Sequence, residues 1–296
     1  MKPITKDMNK QNQGVGLVLE GGGLRSMFTH GILDVFLDND IQFDCATGVS
    51  AGVLFGCNFK SRQRGRALRY NIKLVGNKEY MSWQSLWKTG DYVNERFSYH
   101  RLPYEIDPFD FKTYSDNPMP FYAVCTDIEK GEAIYQDISV GDDKCLQWMR
   151  ASSSMPVFAK PVEIDGHMYL DGGIMDSIPL EFMQHKGYQR NVVIMTQPLG
   201  YRKKANHLYW PLRLMLRKYP KVATMMRDRH IMYNHELDYV TAQQAAGNAF
   251  VIYPDTRLNI GRLELQADKI RAVYEAGIKK GQEVLPKLKE FLGKND

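Results

Sequence analysis

The chain has 296 residues, and its hydrophobic content of 44% and charged content of 25% are ordinary for a soluble globular protein with a sizeable core. No stretch approaches the roughly 18 consecutive apolar residues of a membrane span, and no apolar leader is visible near the start. Both absences speak against a transmembrane or secreted protein and predict a cytoplasmic one. The net charge of +5 is modest, so the distribution of charge is more informative than its sum.

The first part of the chain alternates predicted strands with predicted helices. Residues 14–20 are short, apolar and ended by glycines, as in a buried strand, and residues 24–39 carry apolar side chains at helical spacing. Residues 43–47 predict a second strand and residues 52–59 a second helix. This order predicts an α/β fold with a parallel sheet covered by helices, in which ligands bind at the carboxyl ends of the strands.

Two hairpins are predicted further along. Residues 121–126 and 133–136 flank a Lys-Gly turn, and residues 162–164 and 167–170 flank an Asp-Gly turn, which is a strong hairpin signal. The second hairpin delivers Asp171 to the end of a strand.

The remainder is predicted to be mostly helical. Strands are expected at residues 191–196 and 249–253, and helices at residues 221–247 and 263–292, the last with breaks near Gly281 and Pro286. The loosest regions, residues 78–118 and 198–211, are candidates for inserts or lids.

One motif has the form of a nucleophile elbow. Residues 48–52 read G-V-S-A-G, the G-x-S-x-G pattern that exposes a serine on a sharp turn between a strand and a helix. The motif is short, so the alternative is a tight turn with an incidental serine. The strand-like run before it and the helix-like run after it favour the elbow, with Ser50 as the nucleophile.

Two further glycine motifs fit an acyl-transfer site. Residues 21–23, G-G-G, follow a strand and offer backbone N–H groups either to a phosphate or to an oxyanion. The phosphate alternative is weakened because the Walker lysine is absent and Ser26 stands where a dinucleotide fingerprint has its third glycine. Residues 171–173, D-G-G, place a carboxylate in a glycine turn, where Asp171 is either an ordinary turn residue or a base for Ser50.

A histidine base would be needed for a conventional catalytic triad. The histidines after Asp171 are His185, His207, His230 and His235. None has the glycine or proline surroundings that mark a base carried on a loop, so none is favoured as catalytic.

The distribution of basic residues bears on which partners the protein binds, and the spacing of the cysteines bears on metal binding and redox chemistry. Residues 200–230 hold nine Lys or Arg against one acid, and a second basic cluster between Lys60 and Lys73 contains no acid. For each cluster a solvated face is favoured, with an anionic membrane surface or anionic substrate as the alternative; no nucleic acid partner is expected. The four cysteines show no metal-binding or redox spacing and are expected to be buried free thiols.

Four separated blocks together resemble the patatin-like phospholipase family. The family's G-G-G-x-R-G loop is similar to residues 21–26, with Ser26 in place of the usual glycine, and its G-x-S-x-G elbow matches residues 48–52. Its A-S-x-x-x-P segment matches residues 151–156, and its D-G-[GA] turn matches residues 171–173. The blocks occur in the family's order. Serine disfavours a positive φ, so having serine instead of glycine at position 26 bears on the backbone conformation that the loop adopts.

The resemblance implies a three-layer α/β/α fold and hydrolysis of lipid acyl esters by a serine–aspartate dyad, without a metal or organic cofactor. It implies that Ser50 is the nucleophile and Asp171 the base. It also implies that the oxyanion hole is formed by Gly21, Gly22, Gly23 and Arg25, and that the turns are supported by Gly48, Gly52, Gly172 and Gly173. We expect an N-terminal tail (1–13), a catalytic domain (14–197) and a mainly helical portion (198–296) packed on the same domain. The alternatives are an α/β-hydrolase esterase with a Ser-His-Asp triad and a non-catalytic lipid- or nucleotide-binding protein.

Overall fold

The computed structural model describes residues 12–205 and 209–293. Within these described residues, eight strands form one sheet. They are β1 (Asn12–Leu19), β2 (Cys45–Val49), β3 (Phe121–Asp127), β4 (Glu132–Asp137), β5 (Val162–Ile164), β6 (His167–Asp171), β7 (Tyr188–Ile194) and β8 (Ala249–Ile252). Each predicted strand is present, with ends shifted by no more than a few residues.

The sheet is parallel at its centre and antiparallel at one side. Its order is β5-β6-β3-β2-β1-β7-β8, with β4 also paired to β3. The five strands from β3 to β8 in this order are parallel neighbours, while β4, β5 and β6 run antiparallel to their partners. Both predicted hairpins are confirmed, and so is the mostly parallel α/β architecture.

Helices cover both faces of the sheet. They are α1 (Met27–Asp38), α2 (Ala51–Lys60), α3 (Arg66–Lys73), α4 (Trp83–Thr89), α5 (Phe111–Asp116), α6 (Asp143–Ser153), α7 (Leu180–His185), α8 (Tyr209–Met215), α9 (Pro220–Ala245) and α10 (Ala267–Leu292), with a π-helical segment at Phe97–Ile106. Alternate residues of β1 point to opposite faces. Leu17 and Leu19 belong to the core that includes α1 and α10, and Val18 belongs to the core that includes α7 and α9. The fold therefore has three layers.

Helix α10 corrects the sequence prediction, since it continues through both Gly281 and Pro286. A Cβ atom at Gly281 would lie 3.0 Å from the Cβ of Val35, so this glycine permits a close crossing of α10 over α1 rather than a break. Beyond Pro286, Leu288 is fully buried. Its burial in the core favours continuation of the helix despite the hydrogen bond that proline cannot donate.

Two regional expectations are also revised. Residues 78–118 are not loose, because α4, the π-helical segment and α5 occupy much of this span; residues 198–205 do lack helix and strand.

The basic cluster between Lys60 and Lys73 is not a purely solvated face. The Lys60 ammonium is buried and donates to the carbonyl of Met119 at 2.8 Å, and Arg66 is buried beside Asp107.

All four cysteines are buried and unpaired, as expected. None of the described helices is both long and apolar enough to cross a bilayer.

Candidate active site

Ser50 occupies the sharp turn between β2 and α2. Its φ of 55° and ψ of −124° lie in a region that costs a residue with a side chain about 1–3 kcal/mol. The flanking glycines are needed for close approach. A Cβ at Gly48 would lie 2.9 Å from the carbonyl carbon of Gly52, and one at Gly52 would lie 2.5 Å from the carbonyl oxygen of Leu19. The backbone thus has the strained, crowded turn that the G-x-S-x-G pattern predicts.

Asp171 lies beside Ser50 because of the strand register around β3. The last pair between β2 and β3 joins Val49 to Val124, and the pair that ends β6 joins Asp171 to Cys125. Since β2 is parallel to β3 and β6 is antiparallel to it, the carboxyl ends of β2 and β6 meet at consecutive residues of β3. Ser50 and Asp171 line the same cavity, where burial raises the pKa of the Asp171 carboxyl and the Ser50 hydroxyl opposes that rise.

The end of α6 and the residue after it hold both turns in place. The buried Ser152 hydroxyl accepts the backbone N–H of Ser50 at 3.0 Å and donates to the carbonyl of Val124 at 2.7 Å. Two residues on, the carbonyl of Ser154 accepts the backbone N–H of Asp171 at 2.9 Å. Sequence reasoning singled out this A-S-x-x-x-P segment but assigned it no role; here it connects the two turns.

The glycine-rich loop runs beside Ser50 along the wall of the same cavity. Gly23 has a φ of 59°, which favours glycine, and within the described residues neither Gly22 nor Gly23 donates its N–H to a protein acceptor. Two unused N–H groups suit a developing negative charge. Ser26 has a φ of −69°, so serine fits there without strain.

Arg25, predicted to belong to the oxyanion loop, is half-buried and lines this cavity. Its Nε atom is buried and has no hydrogen-bond partner among the described residues. Burial lowers the pKa of Arg25, and the negative charge of Glu20 opposes that effect. Arg25 therefore adds a positive charge beside the glycine loop.

The surroundings of Asp171 adjust its basicity. Burial raises the pKa of Asp171 above its ordinary value. The hydroxyl of Ser50, the charge of Arg229, the N–H of Gly173 at 2.8 Å from Oδ1 and the charge of Arg262 oppose this increase. A raised pKa makes a carboxylate a better proton acceptor than an aspartate in water.

Glu20 is a site residue that sequence reasoning missed. Its Oε2 accepts the backbone N–H of Thr196 at 2.6 Å, and its Oε1 accepts the hydroxyl of Tyr233. These bonds join the ends of β1 and β7 to α9. The available signal was an acid directly between an apolar strand and the glycine loop.

Three basic residues from beyond residue 197 also reach the cavity, and sequence reasoning did not place them there. Arg229 of α9 donates from Nε to the carbonyl of Gly173 and from Nη2 to the Ser177 hydroxyl at 3.0 Å. Lys203 and Arg262 lie in the segments after β7 and before α10. Two of the three belong to the basic segment at residues 200–230, which was the only sequence signal.

None of the described histidines lines the cavity that holds Ser50 and Asp171. His185 and His235 line a separate cavity, and the Nδ1 of His230 lies 3.0 Å from the carbonyl of Arg227. His207 lies outside the described residues. Across the described ranges, no three His, Cys, Asp or Glu side chains come together as a metal site.

Ser50 lies where two cavities join. The apolar chamber contains about 860 Å³ of space, part of it open to solvent. Its walls include Leu24, Leu54, Phe55, Tyr70, Tyr80, Met81, Tyr92, Val93 and Tyr99. The cationic chamber is bordered by Glu20, Arg25, Lys203, Arg229, Tyr233 and Arg262. Gly23, Ser50, Met155, Phe158 and Arg262 line both.

The sequence model of patatin-like phospholipases matches residues 17–183, which is more than half of the chain. The chain therefore belongs to the patatin-like phospholipase family, and the resemblance inferred from the four blocks is confirmed. A second match, to a domain of unknown function (DUF6363), covers residues 219–293.

Several curated proteins are similar. The uncharacterized protein YjjU of Escherichia coli K12 is 26% identical over 284 residues, covering 89% of this chain and 74% of YjjU. Lysophospholipase NTE1 of Candida glabrata is 28% identical over 178 residues, and neuropathy target esterase sws of Drosophila melanogaster is 26% identical over 184 residues. Those two alignments cover 59% and 61% of this chain but only 10% and 13% of the relatives.

Among solved structures, VipD from Legionella pneumophila aligns with a TM-score of 0.46 and 11% identity, over 93% of this chain and 67% of VipD.

Proposed function

We propose that this protein hydrolyses acyl esters of lipids with Ser50 as the nucleophile and Asp171 as the base. The observation that carries the proposal is that Ser50, at a strained turn between an apolar and a cationic chamber, and the buried Asp171 line one cavity where β2 and β6 end at consecutive residues of β3. Family membership supports the reaction class, and the names of the lysophospholipase relatives point to a lipid ester as substrate.

In the first half of the reaction, Asp171 takes the proton from the Ser50 hydroxyl as Oγ attacks the ester carbonyl carbon. The N–H groups of Gly22 and Gly23 stabilise the negative charge on the former carbonyl oxygen, and one such donor is typically worth roughly 3 kcal/mol. The tetrahedral intermediate then collapses. The alcohol leaves with the proton that Asp171 carried, and the acyl group stays on Ser50 as an ester.

In the second half, water replaces the alcohol. Asp171 accepts a proton from the water as its oxygen attacks the acyl carbon, and the same N–H groups hold the second oxyanion. Collapse returns the proton to Ser50 Oγ and releases the fatty acid. The cycle leaves the enzyme unchanged and needs no group beyond Ser50, Asp171 and the loop.

Labelling by a fluorophosphonate ester probe tests this mechanism, with Ser50→Ala as the matched control. We expect the wild-type protein to be labelled on Ser50 and to hydrolyse p-nitrophenyl esters, and a folded Ser50→Ala variant to do neither. Labelling at another residue, or ester hydrolysis that survives Ser50→Ala, would exclude Ser50 as the nucleophile. A complete lack of labelling and turnover in the folded wild type would favour the non-catalytic binding protein.

The unit that carries this activity extends, in our proposal, over residues 14–197 and 198–296 together. Strand β8 pairs with β7 in the catalytic sheet, and α10 packs against α1 in the same core. Lys203, Arg229 and Arg262 come from the later part of the chain and line the cavity that contains Ser50.

The same protein would meet its substrate at an anionic membrane surface. The basic surface of α8 and the turn after it consists of Trp210, Arg213, Leu214, Met215, Arg217 and Lys218. Trp210, Leu214 and Met215 are 71%, 72% and 62% exposed, whereas Leu212 and Leu216 are buried in the core. The segment is therefore divided between core packing and an exposed face that combines apolar and basic groups, which suits head groups and the lipid interface.

A further inference from the structure

The cationic chamber contains more positive than negative charge. Four basic side chains, Arg25, Lys203, Arg229 and Arg262, border it together with the carboxylates of Glu20 and Asp171. In the described part of the chain, none of these four cations forms an ion pair within 4.0 Å. The excess positive charge faces the cavity in which Ser50 would react.

The acids of the chamber already have partners. Glu20 accepts hydrogen bonds from the backbone of Thr196 and from the hydroxyl of Tyr233, and Asp171 accepts one from the backbone of Gly173. These donors occupy the two carboxylates without using any of the four basic side chains.

Two of the basic side chains, Arg25 and Lys203, in contrast have donors to spare. The Nε atom of Arg25 is buried without an acceptor, and the Lys203 ammonium lies 4.9 Å from the ring centroid of Tyr233. Burial lowers the pKa of Lys203 to about 7, and the charges of Arg229 and Arg262 add to that effect. Mutual repulsion of this kind is relieved when an anion binds among the cations.

A lipid ester with its scissile bond at Ser50 would place its acyl part in one chamber and its alcohol part in the other. An acyl chain gains roughly 0.8 kcal/mol for each CH₂ group removed from water, so it occupies the apolar chamber. With the carbonyl carbon at Ser50, the alcohol part of the ester then extends into the cationic chamber. A substrate group that meets the basic side chains is therefore on the leaving alcohol.

We propose that the cationic chamber binds a phosphate group on the leaving alcohol, so that the preferred substrate is an acyl ester of a glycerol phosphate with a net negative head group. The inference rests on the function proposed above and specifies its substrate class. Arginine forks bind phosphate oxygens in pairs, and lysine adds a point charge. A neutral alcohol brings no negative charge to the cations, and a choline head group brings a further positive charge among them.

Three lysolipids with one and the same acyl chain test the specificity: an acylglycerol 3-phosphate, an acylglycerophosphocholine and an acylglycerol. They are compared as monomers, below the concentration at which micelles form, so that surface charge does not contribute. We expect kcat/KM to be highest for the acylglycerol 3-phosphate, at least tenfold above the acylglycerol. Equal values for the three head groups, or a preference for the neutral one, would overturn the proposal.

Paired variants locate the effect. Lys203→Met and Arg262→Met should each lower the ratio of kcat/KM between the anionic and neutral lysolipids by about tenfold. The matched controls are Arg202→Met, which removes an exposed neighbour paired with Asp238, and Arg257→Met, which removes an exposed arginine outside the chamber. A ratio that the two test variants leave unchanged, or that the controls change equally, would contradict the assignment.

A binding measurement separates this inference from the catalytic proposal. Calorimetric titration of the Ser50→Ala protein with the acylglycerol 3-phosphate, the acylglycerol and inorganic phosphate requires no turnover. We expect the phosphorylated lipid to bind at least tenfold more tightly than the other two, with the difference lost in Ser50→Ala/Arg262→Met. If no ester is hydrolysed but this binding pattern holds, the catalytic proposal fails and the phosphate site stands. Equal binding of the two lipids, or of inorganic phosphate and the phosphorylated lipid, would refute a head-group site.

Discussion

The hydroxyl oxygen of Ser152 lies 3.0 Å from the backbone nitrogen of Ser50 and accepts its hydrogen bond. The same hydroxyl donates to the carbonyl of Val124, the residue of β3 that pairs with the end of β2. A buried serine of α6 thus fixes the backbone of the strained turn at the point where β2 ends. Ser152 touches no reacting atom in the proposed mechanism, so it is a positioning residue.

Ser152→Ala should lower kcat by about tenfold or more with little change in KM, because a shifted Ser50 attacks from a poorer angle. The variant also leaves a buried N–H and a buried carbonyl unpaired, which costs about 1–3 kcal/mol of stability. Ser139→Ala is the matched control, since its hydroxyl accepts the backbone N–H of Phe121 at 3.0 Å away from the site. Steady-state kinetics and thermal melting give both values; equal kcat losses in the two variants would argue against positioning.

Asp171→Asn should abolish ester hydrolysis and raise the melting temperature at neutral pH. Burial raises the pKa of Asp171, so the folded state disfavours the charge. Wild-type stability therefore falls as pH rises from the unfolded to the folded pKa, and the neutral amide avoids this loss. The higher melting temperature of the variant should be fully present at pH values above the pKa of Asp171 in the folded state, and it should vanish below the ordinary pKa near 3.8. A stability gain of about 1 kcal/mol corresponds to a rise in melting temperature of roughly 2 °C. Activity above a few per cent in the folded variant would rule out the dyad.

No histidine should be essential. Replacing His185, His207, His230 and His235 one at a time should leave turnover within about tenfold of the wild type, far from the losses of about 10⁴ that follow loss of a triad member. The described histidines do not line the cavity that holds Ser50, which is the physical reason. A folded histidine variant with background activity would instead support the triad esterase.

The acid limb of the pH–activity profile, where activity falls as pH is lowered, should follow the protonation of Asp171. Its carboxylate must be free to act as a base, so kcat/KM should fall as pH drops through its pKa, which burial places above the ordinary value. The charge of Arg229 lowers that pKa more than the charge of Arg262 does. Arg229→Met should therefore move the acid limb to higher pH, and Arg262→Met should move it less. Circular dichroism checks folding; an unmoved limb in folded Arg229→Met would exclude Asp171 as the titrating group.

The basic surface should bind anionic vesicles. Co-sedimentation should require anionic lipid, weaken with salt and drop in an Arg213→Glu/Arg217→Glu/Lys218→Glu variant, because each basic residue near such a surface contributes about 1 kcal/mol. The control reverses exposed charges on α10, with Arg271→Glu/Lys279→Glu/Lys287→Glu. Equal recovery with neutral and anionic vesicles, or equal losses in the two variants, would leave the exposed residues of α8 as an ordinary solvated face.

Much of the local structure could be predicted from sequence alone. The strand that ends at residue 19, the turn at Ser50 and the two hairpins depend on short patterns of apolar, β-branched and glycine residues, which act over a few neighbours. The same local reasoning failed in α10. Gly281 and Pro286 are helix breakers by propensity, yet contacts with Val35 and burial of Leu288 keep that helix continuous.

Within the site, the sequence by itself determined which residues could react: a serine in a crowded turn, an aspartate at a strand end and a loop of glycines. Only the tertiary structure decided that they meet, because Val124 and Cys125 are neighbours on β3 while their partners, Val49 and Asp171, are far apart in the chain. The convergence of Lys203, Arg229 and Arg262 on the cavity likewise follows from long-range packing of the later helices. Sequence patterns encode which face of an element is buried; they do not encode which distant charges share a cavity, since that depends on how the elements pack together.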